Sequence, residues 1–521
     1  MRTLFLVPPP LRSGPTNRDV LYGGWCKGKR IGGGTLPPLI LLNVATMCKQ
    51  AGLDVTLLDA QGEGLTPDAV AARANDFDHV VILCSTMSIQ DDARVVERMK
   101  RVNPRLCSIW LGSDPSFLPE LCLEYAAVDI LVRLEPDFIV KELLQHLERG
   151  GEGWMAQPGI SYRSADGVVH NNPDRPFPTD PHLSEYPFSD RTMLPKGVTY
   201  DNPIIRRYPY ATSLTSRGCP AKCTFCQSPA FLGAGMRAWP AEKLVEEAEM
   251  LLGLGYRTIY YRDETFTWDP RRMRRYAELI KERRLRYDWI GNARANTADL
   301  PLLERLRESG CTVLKIGVES GDDELLRRMK KGLTVRNTRE FFANCHKAGI
   351  SPHAHIMFGV PGETRETLKR TIDFIFELEP ATLDIGIMMP YPGSEIFEEY
   401  KSLLDVSRLH EDLNFGEIHI TSAFDRVWTD VPAAELHELQ KDTYRRFYLR
   451  PRYILNKLVS LDSLAALPRL AASGLNVARF ALSGDRGELR EDLPVTKVPV
   501  HGVVGAASVV AAPTRKARAT V

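Results

Sequence analysis

No stretch of this 521-residue chain approaches the ~20 consecutive apolar residues that cross a bilayer. Its opening, MRTLFLVPPP, is too short and too proline-rich for a secretory signal. A membrane-spanning or secreted protein is thereby set aside, and the chain is expected in the cytoplasm. Net charge is equally scarce: 67 basic against 66 acidic residues give no field suited to a polyanion, so nucleic acid is not expected as a partner. A disulfide framework is missing too. Seven of the ten cysteines (Cys26, Cys48, Cys84, Cys107, Cys122, Cys311, Cys345) stand singly, the pattern of buried thiols in a reducing compartment. There is no solenoid-type repeat. With 44% apolar residues the chain is not disordered, and at roughly 100–200 residues per domain about three domains are expected.

What is present is alternation. From the N-terminus, short apolar runs (TLFLV, VTLLDA, HVVILC, CSIWLG, DILVR) alternate with helix-like segments, which reads as βαβ units around a parallel sheet. Thr66 is placed to cap a helix with Pro67 at its first position, and Gly52 to stop the preceding one. This doubly wound domain is expected over 1–150. A proline-rich connector follows over 151–205, with a small hairpin at SYRSADGVVHN. Over 206–400, six strands (ATSLTS, RTIYY, DWIGN, TVLKIGV, SPHAHIMF, TLDIGIM) each alternate with helices, as in a partial (β/α)6 barrel. Residues 401–484 read as a helical C-terminal region that packs on the barrel, and 485–521 as a disordered tail ending in TRKARATV. The fold class is α/β.

The chemistry centres on SRGCPAKCTFCQSP. Cys219, Cys223 and Cys226 are spaced x3 then x2, unlike the paired C-x2-C knuckles of structural zinc sites, and no fourth cysteine is near. Iron–sulfur cubanes normally take four thiolates, so three leave one iron open. The motif follows a strand on the loop where (β/α) barrels place their active sites. C-x3-C-x-aromatic-C in this position resembles the signature of radical S-adenosylmethionine (SAM) enzymes. In that family the cysteines hold a 4Fe-4S cluster whose open iron is chelated by SAM, and reduction of the cluster yields a 5′-deoxyadenosyl radical.

The resemblance extends to the other strand-end loops. It implies SAM contacts from Phe225, from Asp263 and Glu264 in RDETFTWD, and from Asn292 and Arg294 in GNARAN. Glu319 in ESG would accept from the ribose, and Met357 in HIMFGVPGET would lie by the adenine. Tyr391 in MMPYPGSE would reach the substrate.

The doubly wound domain resembles the cobalamin-binding domain of a large radical SAM subgroup, through GGGTLPPLILLNVATMCKQAGLDVTLLDA and HVVILCSTMS. Together the two resemblances cover roughly residues 1–400. KKGLTV and PYPGS look most like members associated with hopanoid and other natural-product modification. Because open parallel sheets bind ligands beyond the carboxyl ends of their strands, Pro9, Ser85, Thr86, Ser113 and Asp114 are the cobalamin-binding candidates. No D-x-H-x-x-G is present, so no histidine is expected as lower ligand. LGSDPSFLP and LEPD depart from the glycine-richer loops usual in the subgroup, which would crowd a corrin. The subgroup implies methylation of an unactivated carbon in a small-molecule or lipid substrate, with an external donor such as flavodoxin or ferredoxin. A radical cyclisation, ring contraction or rearrangement without methyl transfer is the first alternative, and a non-catalytic iron–sulfur or corrinoid sensor is the second.

Overall fold

The computed structural model describes residues 1–11, 14–22, 26–27, 34–179, 183, 185–403, 406, 410, 428–459, 467–483 and 495–505. The basic end TRKARATV lies outside them. No described helix is long and apolar enough to cross a membrane.

The first sheet is built on five parallel strands: Arg2–Val7, Asp54–Asp59, His79–Cys84, Cys107–Gly112 and Ile130–Val132. HVVILC is buried at all six positions, as a strand covered on both faces requires. Arg2–Val7 pairs with Asp54–Asp59 on one side and His79–Cys84 on the other. The winding therefore reverses beside Arg2–Val7, and a crevice opens there at the carboxyl ends. The Thr66 hydroxyl caps its helix, accepting from Ala69 N at 3.2 Å, with Pro67 at the first helical position.

The connector does form the expected hairpin, but it also extends this sheet. Ile160–Arg163 pairs antiparallel with Ile130–Val132, and Val169–Asn171 follows. Part of the expected tail is ordered on the same domain. Val503–Val504 pairs parallel with Val169–Asn171, and Val498 N donates to Glu124 O at 2.7 Å. Backbone pairing with an edge strand needs no side-chain periodicity, so PVTKVPVHGVV carried no signal of it.

The second sheet holds six parallel strands in sequential order: Tyr210–Ser213, Thr258–Tyr261, Asp288–Ala293, Cys311–Glu319, Ser351–Phe358 and Thr382–Ile387. Helices such as Ala241–Gly253, Pro270–Glu282 and Arg365–Leu378 cover its outside. The first and sixth strands do not pair, so the barrel is partial. Its open edge is satisfied by side chains of the helix Ala433–Tyr448. Tyr444 OH accepts from Ile385 N at 2.9 Å, Tyr448 OH accepts from Leu383 N at 2.9 Å, and Gln440 Nε2 donates to Ile385 O at 2.7 Å. An edge strand's unpaired backbone groups are thereby covered. The helix Leu467–Ser483 packs on this one, with Phe480 edge-on to Tyr444 at 5.4 Å.

The two sheets are locked together by buried charge and aromatic contacts. Asp19 pairs with Arg262 at 2.7 Å, Arg217 lies 3.4 Å from Glu135, and Phe231 meets both Tyr22 and Phe117. The crevice of the first domain is thus pressed against the carboxyl face of the barrel.

Candidate active site

The cysteine loop leaves the first barrel strand through a backbone that only glycine adopts easily. Gly218 has φ +82°, and a Cβ there would sit 2.0 Å from Gly235 O. Gly218→Ala is expected to cost about 1–3 kcal/mol through this clash and the left-handed φ. Iron bound per chain, after anaerobic reconstitution at increasing temperature, will show the loss at lower temperature than in the wild type. The loop is then stitched to two other barrel loops: Thr224 N donates to Met329 O at 3.0 Å, and Ile396 N donates to Thr224 O at 3.0 Å.

This geometry turns Cys219, Cys223 and Cys226 into one cavity of about 850 Å³. Cys219 Sγ lies 3.9 Å from Thr265 Oγ1, Arg294 Nη1 approaches Cys223 Sγ at 3.6 Å, and Ser228 N donates to Cys226 Sγ at 3.4 Å. Cys219, Cys223 and Cys226 are free thiols, as are Cys48, Cys84, Cys107, Cys122, Cys311 and Cys345. Burial pushes the Cys226 thiol well above its ordinary range, and the nearby Glu264 charge adds to this. A bound metal would reverse that preference, because a coordinated thiol is deprotonated outright.

Of the residues expected to contact SAM, Phe225, Glu264, Asn292, Arg294, Glu319 and Met357 all line the same cavity. Glu319 is a non-glycine residue at φ +66°, where strain of about 1–3 kcal/mol is tolerated mainly at functional positions. Its carboxylate pairs with Lys331 Nζ at 2.6 Å. Arg294 donates through Nη2 to Lys331 O, while its buried Nε has no hydrogen-bond partner among the described residues. Burial pushes the Glu264 carboxyl above its ordinary range, against the opposing effects of Tyr22 and Arg262. A cavity wall with carboxylates, an underused guanidinium and a half-buried aromatic ring suits a zwitterionic ligand with an adenine.

Two expected residues lie elsewhere. Asp263 is fully buried behind the cavity and accepts from Thr215 N and Thr215 Oγ1, both at 2.6 Å, and from Ser216 N at 2.9 Å. Adjacent residues at a strand end face opposite ways, so Glu264 points in and Asp263 points back. Tyr391 packs with Met388, Ile396 and Trp428 outside the cavity lining.

Sequence reasoning missed the far half of the cavity. Lys315, His353, His355 and Asp384 line it on the barrel side, and Tyr444, Tyr448 and Tyr453 on the helical side. The signal was present in SPHAHIMF, where polar residues at i and i+2 on an otherwise apolar strand share one face.

In the first domain Pro9, Ser85, Thr86, Ser113 and Asp114 are all buried at the crevice. Thr86 Oγ1 donates to Asp114 Oδ1 at 2.7 Å, Ser113 Oγ to the same oxygen at 3.1 Å, and His410 Nε2 lies 2.8 Å from Asp114 Oδ2. Hydroxyls and a carboxylate of this kind fit the amide-bearing rim of a corrin. His410, held on its other nitrogen by Tyr125 OH at 3.1 Å, takes part of their capacity. The neighbouring loops carry Met87, Leu118 and Leu121 into the same apolar cluster as Phe225 of the cysteine loop.

Comparisons with known proteins agree with this architecture. The Radical SAM superfamily model matches residues 213–375, and the B12 binding domain model matches residues 32–144. An uncharacterized methyltransferase of Pyrococcus horikoshii is 29% identical over 434 residues, covering 82% of this chain and 92% of that protein. The anaerobic magnesium-protoporphyrin IX monomethyl ester cyclase of Rubrivivax gelatinosus is 26% identical over 473 residues, covering 87% of this chain and 78% of that protein. Among solved structures, the radical SAM methyltransferase TsrM from Kitasatospora setae, with cobalamin and an iron–sulfur cluster bound, superposes with a TM-score of 0.60 at 19% identity. That match covers 70% of this chain and 74% of TsrM. The cofactors of this group are a 4Fe-4S cluster, SAM and cobalamin. The chain thus carries an N-terminal B12-binding domain closed over a radical SAM domain whose barrel holds its cysteines on the first strand-end loop.

Proposed function

We propose that this chain is a cobalamin-dependent radical SAM methyltransferase acting on an unactivated carbon of a small-molecule natural product or lipid. The observation that carries the reading is the meeting of two sites: the cysteine loop and the first-domain crevice loops share one apolar cluster at the domain junction. Cys219, Cys223 and Cys226 would hold the cluster, and Arg294, Glu319 and Phe225 would orient SAM beside it. Ser85, Thr86, Ser113 and Asp114 would hold the rim of cobalamin. When bound, the cluster supplies the electron that cleaves SAM, and cobalamin carries a methyl group.

The chain's own contribution is placement and exclusion of water. Asp263 fixes the start of the cysteine loop, Lys331 sets the Glu319 carboxylate, and Tyr444 and Tyr448 seal the barrel's open edge. An external low-potential donor, flavodoxin or ferredoxin, would deliver the electron in the cytoplasm, consistent with the free thiols of Cys48, Cys84, Cys107, Cys122, Cys311 and Cys345. The test needs no substrate. Protein reconstituted anaerobically with iron, sulfide and cobalamin, then given a low-potential reductant together with methyl-labelled SAM, is expected to label cobalamin and to release 5′-deoxyadenosine. A full cluster with a cobalamin-free optical spectrum would remove this reading.

A further inference from the structure

A second group of ligating side chains lies in the same cavity, below the strand ends. His353 and His355 alternate on the fifth barrel strand, and Asp384 on the sixth is in register with His355. At about 3.3 Å per residue, His355 lies about 10 Å before the strand end at Phe358. His353 Nε2 is 3.2 Å and His355 Nδ1 is 3.8 Å from the same oxygen, Asp384 Oδ2. One ligand atom from each of the three residues falls within 4.8 Å of the others. Two ligands bound to one ion at about 2.1 Å are separated by about 3.0 Å at a right angle and about 3.4 Å at the tetrahedral angle. The spacings of 3.2 and 3.8 Å fall on either side of the tetrahedral value, and the third, within 4.8 Å, asks for a closure of at most about 1.4 Å.

The surroundings favour an ion over a purely hydrogen-bonded cluster. At 3.8 Å His355 is too far from Asp384 for a hydrogen bond, so the two converge without satisfying each other. His353 Nδ1 is held 2.7 Å from Thr382 Oγ1, the kind of outer contact that fixes a ligating imidazole with its other nitrogen facing the ion. The rings meet at 71°, edge to face, so they do not stack and shield each other. Lys315, in register with His353 one strand away, opposes a cation; its Nζ is 3.0 Å from Tyr260 OH.

We propose that His353, His355 and Asp384 bind a divalent first-row transition ion, with its open positions facing the cavity. Two imidazoles and a carboxylate without thiolate suit Zn²⁺ or Fe²⁺. The open positions would take an oxygen or nitrogen of the substrate and hold it at a fixed depth below the cysteines. The site itself does not depend on the methyltransferase reading; only this use of it does.

Zinc is the probe, because it is distinguishable from the cluster iron. The full chain with its cluster reconstituted, incubated with Zn²⁺ and desalted, is expected to keep one zinc per chain beside its iron by elemental analysis. The zinc absorption edge should report a nitrogen and oxygen shell near about 2.0–2.1 Å and no sulfur near about 2.3 Å. His355→Ala and Asp384→Asn should each weaken zinc binding at least about 10-fold, by comparison with the 10–100-fold worth of outer partners alone. Lys315→Met should tighten it by removing the opposing charge. A sulfur shell, zinc retention unchanged in His355→Ala, or no zinc retained by the wild type overturns the proposal. A variant that has failed to fold is recognised by loss of its cluster absorbance, and the wild-type absorption edge then decides. Release of 5′-deoxyadenosine, measured in parallel, reports separately on the radical chemistry.

Discussion

Cys219→Ala, Cys223→Ala and Cys226→Ala are each expected to lower 5′-deoxyadenosine formation by more than about 100-fold, since even outer partners of a metal ligand are worth about 10–100-fold. The three thiols enter one cavity from one short loop, and no other cysteine lines it. Among the residues lining it there is therefore no fourth thiol to recruit. Serine is expected to fail nearly as badly, because a hard hydroxyl is a poor replacement for thiolate on iron. Cys311→Ala and Cys345→Ala are the controls: both thiols are buried in the barrel core, so they cost packing and leave the cluster intact. Iron per chain and 5′-deoxyadenosine per chain, measured together, separate loss of the cluster from loss of SAM. A Cys223→Ala chain that keeps both at wild-type level would remove the cluster assignment.

That loop was legible in the sequence because its chemistry is local: residue type and spacing carry it, and the six strand-end loops follow from alternation. Register is not local. Whether Asp263 or Glu264 faces the cavity depends on where Thr258–Tyr261 stops, a matter of one residue that reverses both side chains. His353, His355 and Asp384 come together only because the fifth and sixth strands pair with His355 opposite Asp384. Tyr444 and Tyr448 read as ordinary helix residues, and their role exists only because the sixth strand has an open edge to satisfy. The return of residues 495–505 to the first domain shows no periodicity, since backbone pairing with Val169–Asn171 and Glu124 is supplemented only by scattered side-chain contacts from Val495, Lys497 and Val500. The halves that resisted reading are thus those fixed by pairing between segments distant in the chain.

Asp263 gives the sharpest test of that distinction. If it contacted SAM, Asp263→Ala would keep its cluster and lose SAM affinity. The structure instead has its carboxylate accept two backbone N–H groups and a hydroxyl at the root of the cysteine loop, all within the buried core. Alanine would leave Thr215 N and Ser216 N buried without partners, at about 1–3 kcal/mol each, together with the loss of a charge-assisted bond from Thr215 Oγ1. Arg272, which donates to the same Thr215 hydroxyl at 2.6 Å, would also face its buried site without the neighbouring carboxylate. The sum is a destabilisation of roughly 3–5 kcal/mol, in the range reserved for broken buried networks. Asp263→Asn should fall between, because the amide oxygen still serves both N–H groups and the Thr215 hydroxyl turns to accept from the amide nitrogen, while the charge facing Arg272 is gone. Thermal unfolding and iron content are therefore expected to fall in the order wild type, Asn, Ala, with cluster loss preceding any measurable change in SAM affinity. An alanine variant with a full cluster, unchanged thermal unfolding and weakened SAM binding would return Asp263 to the ligand's side of the wall.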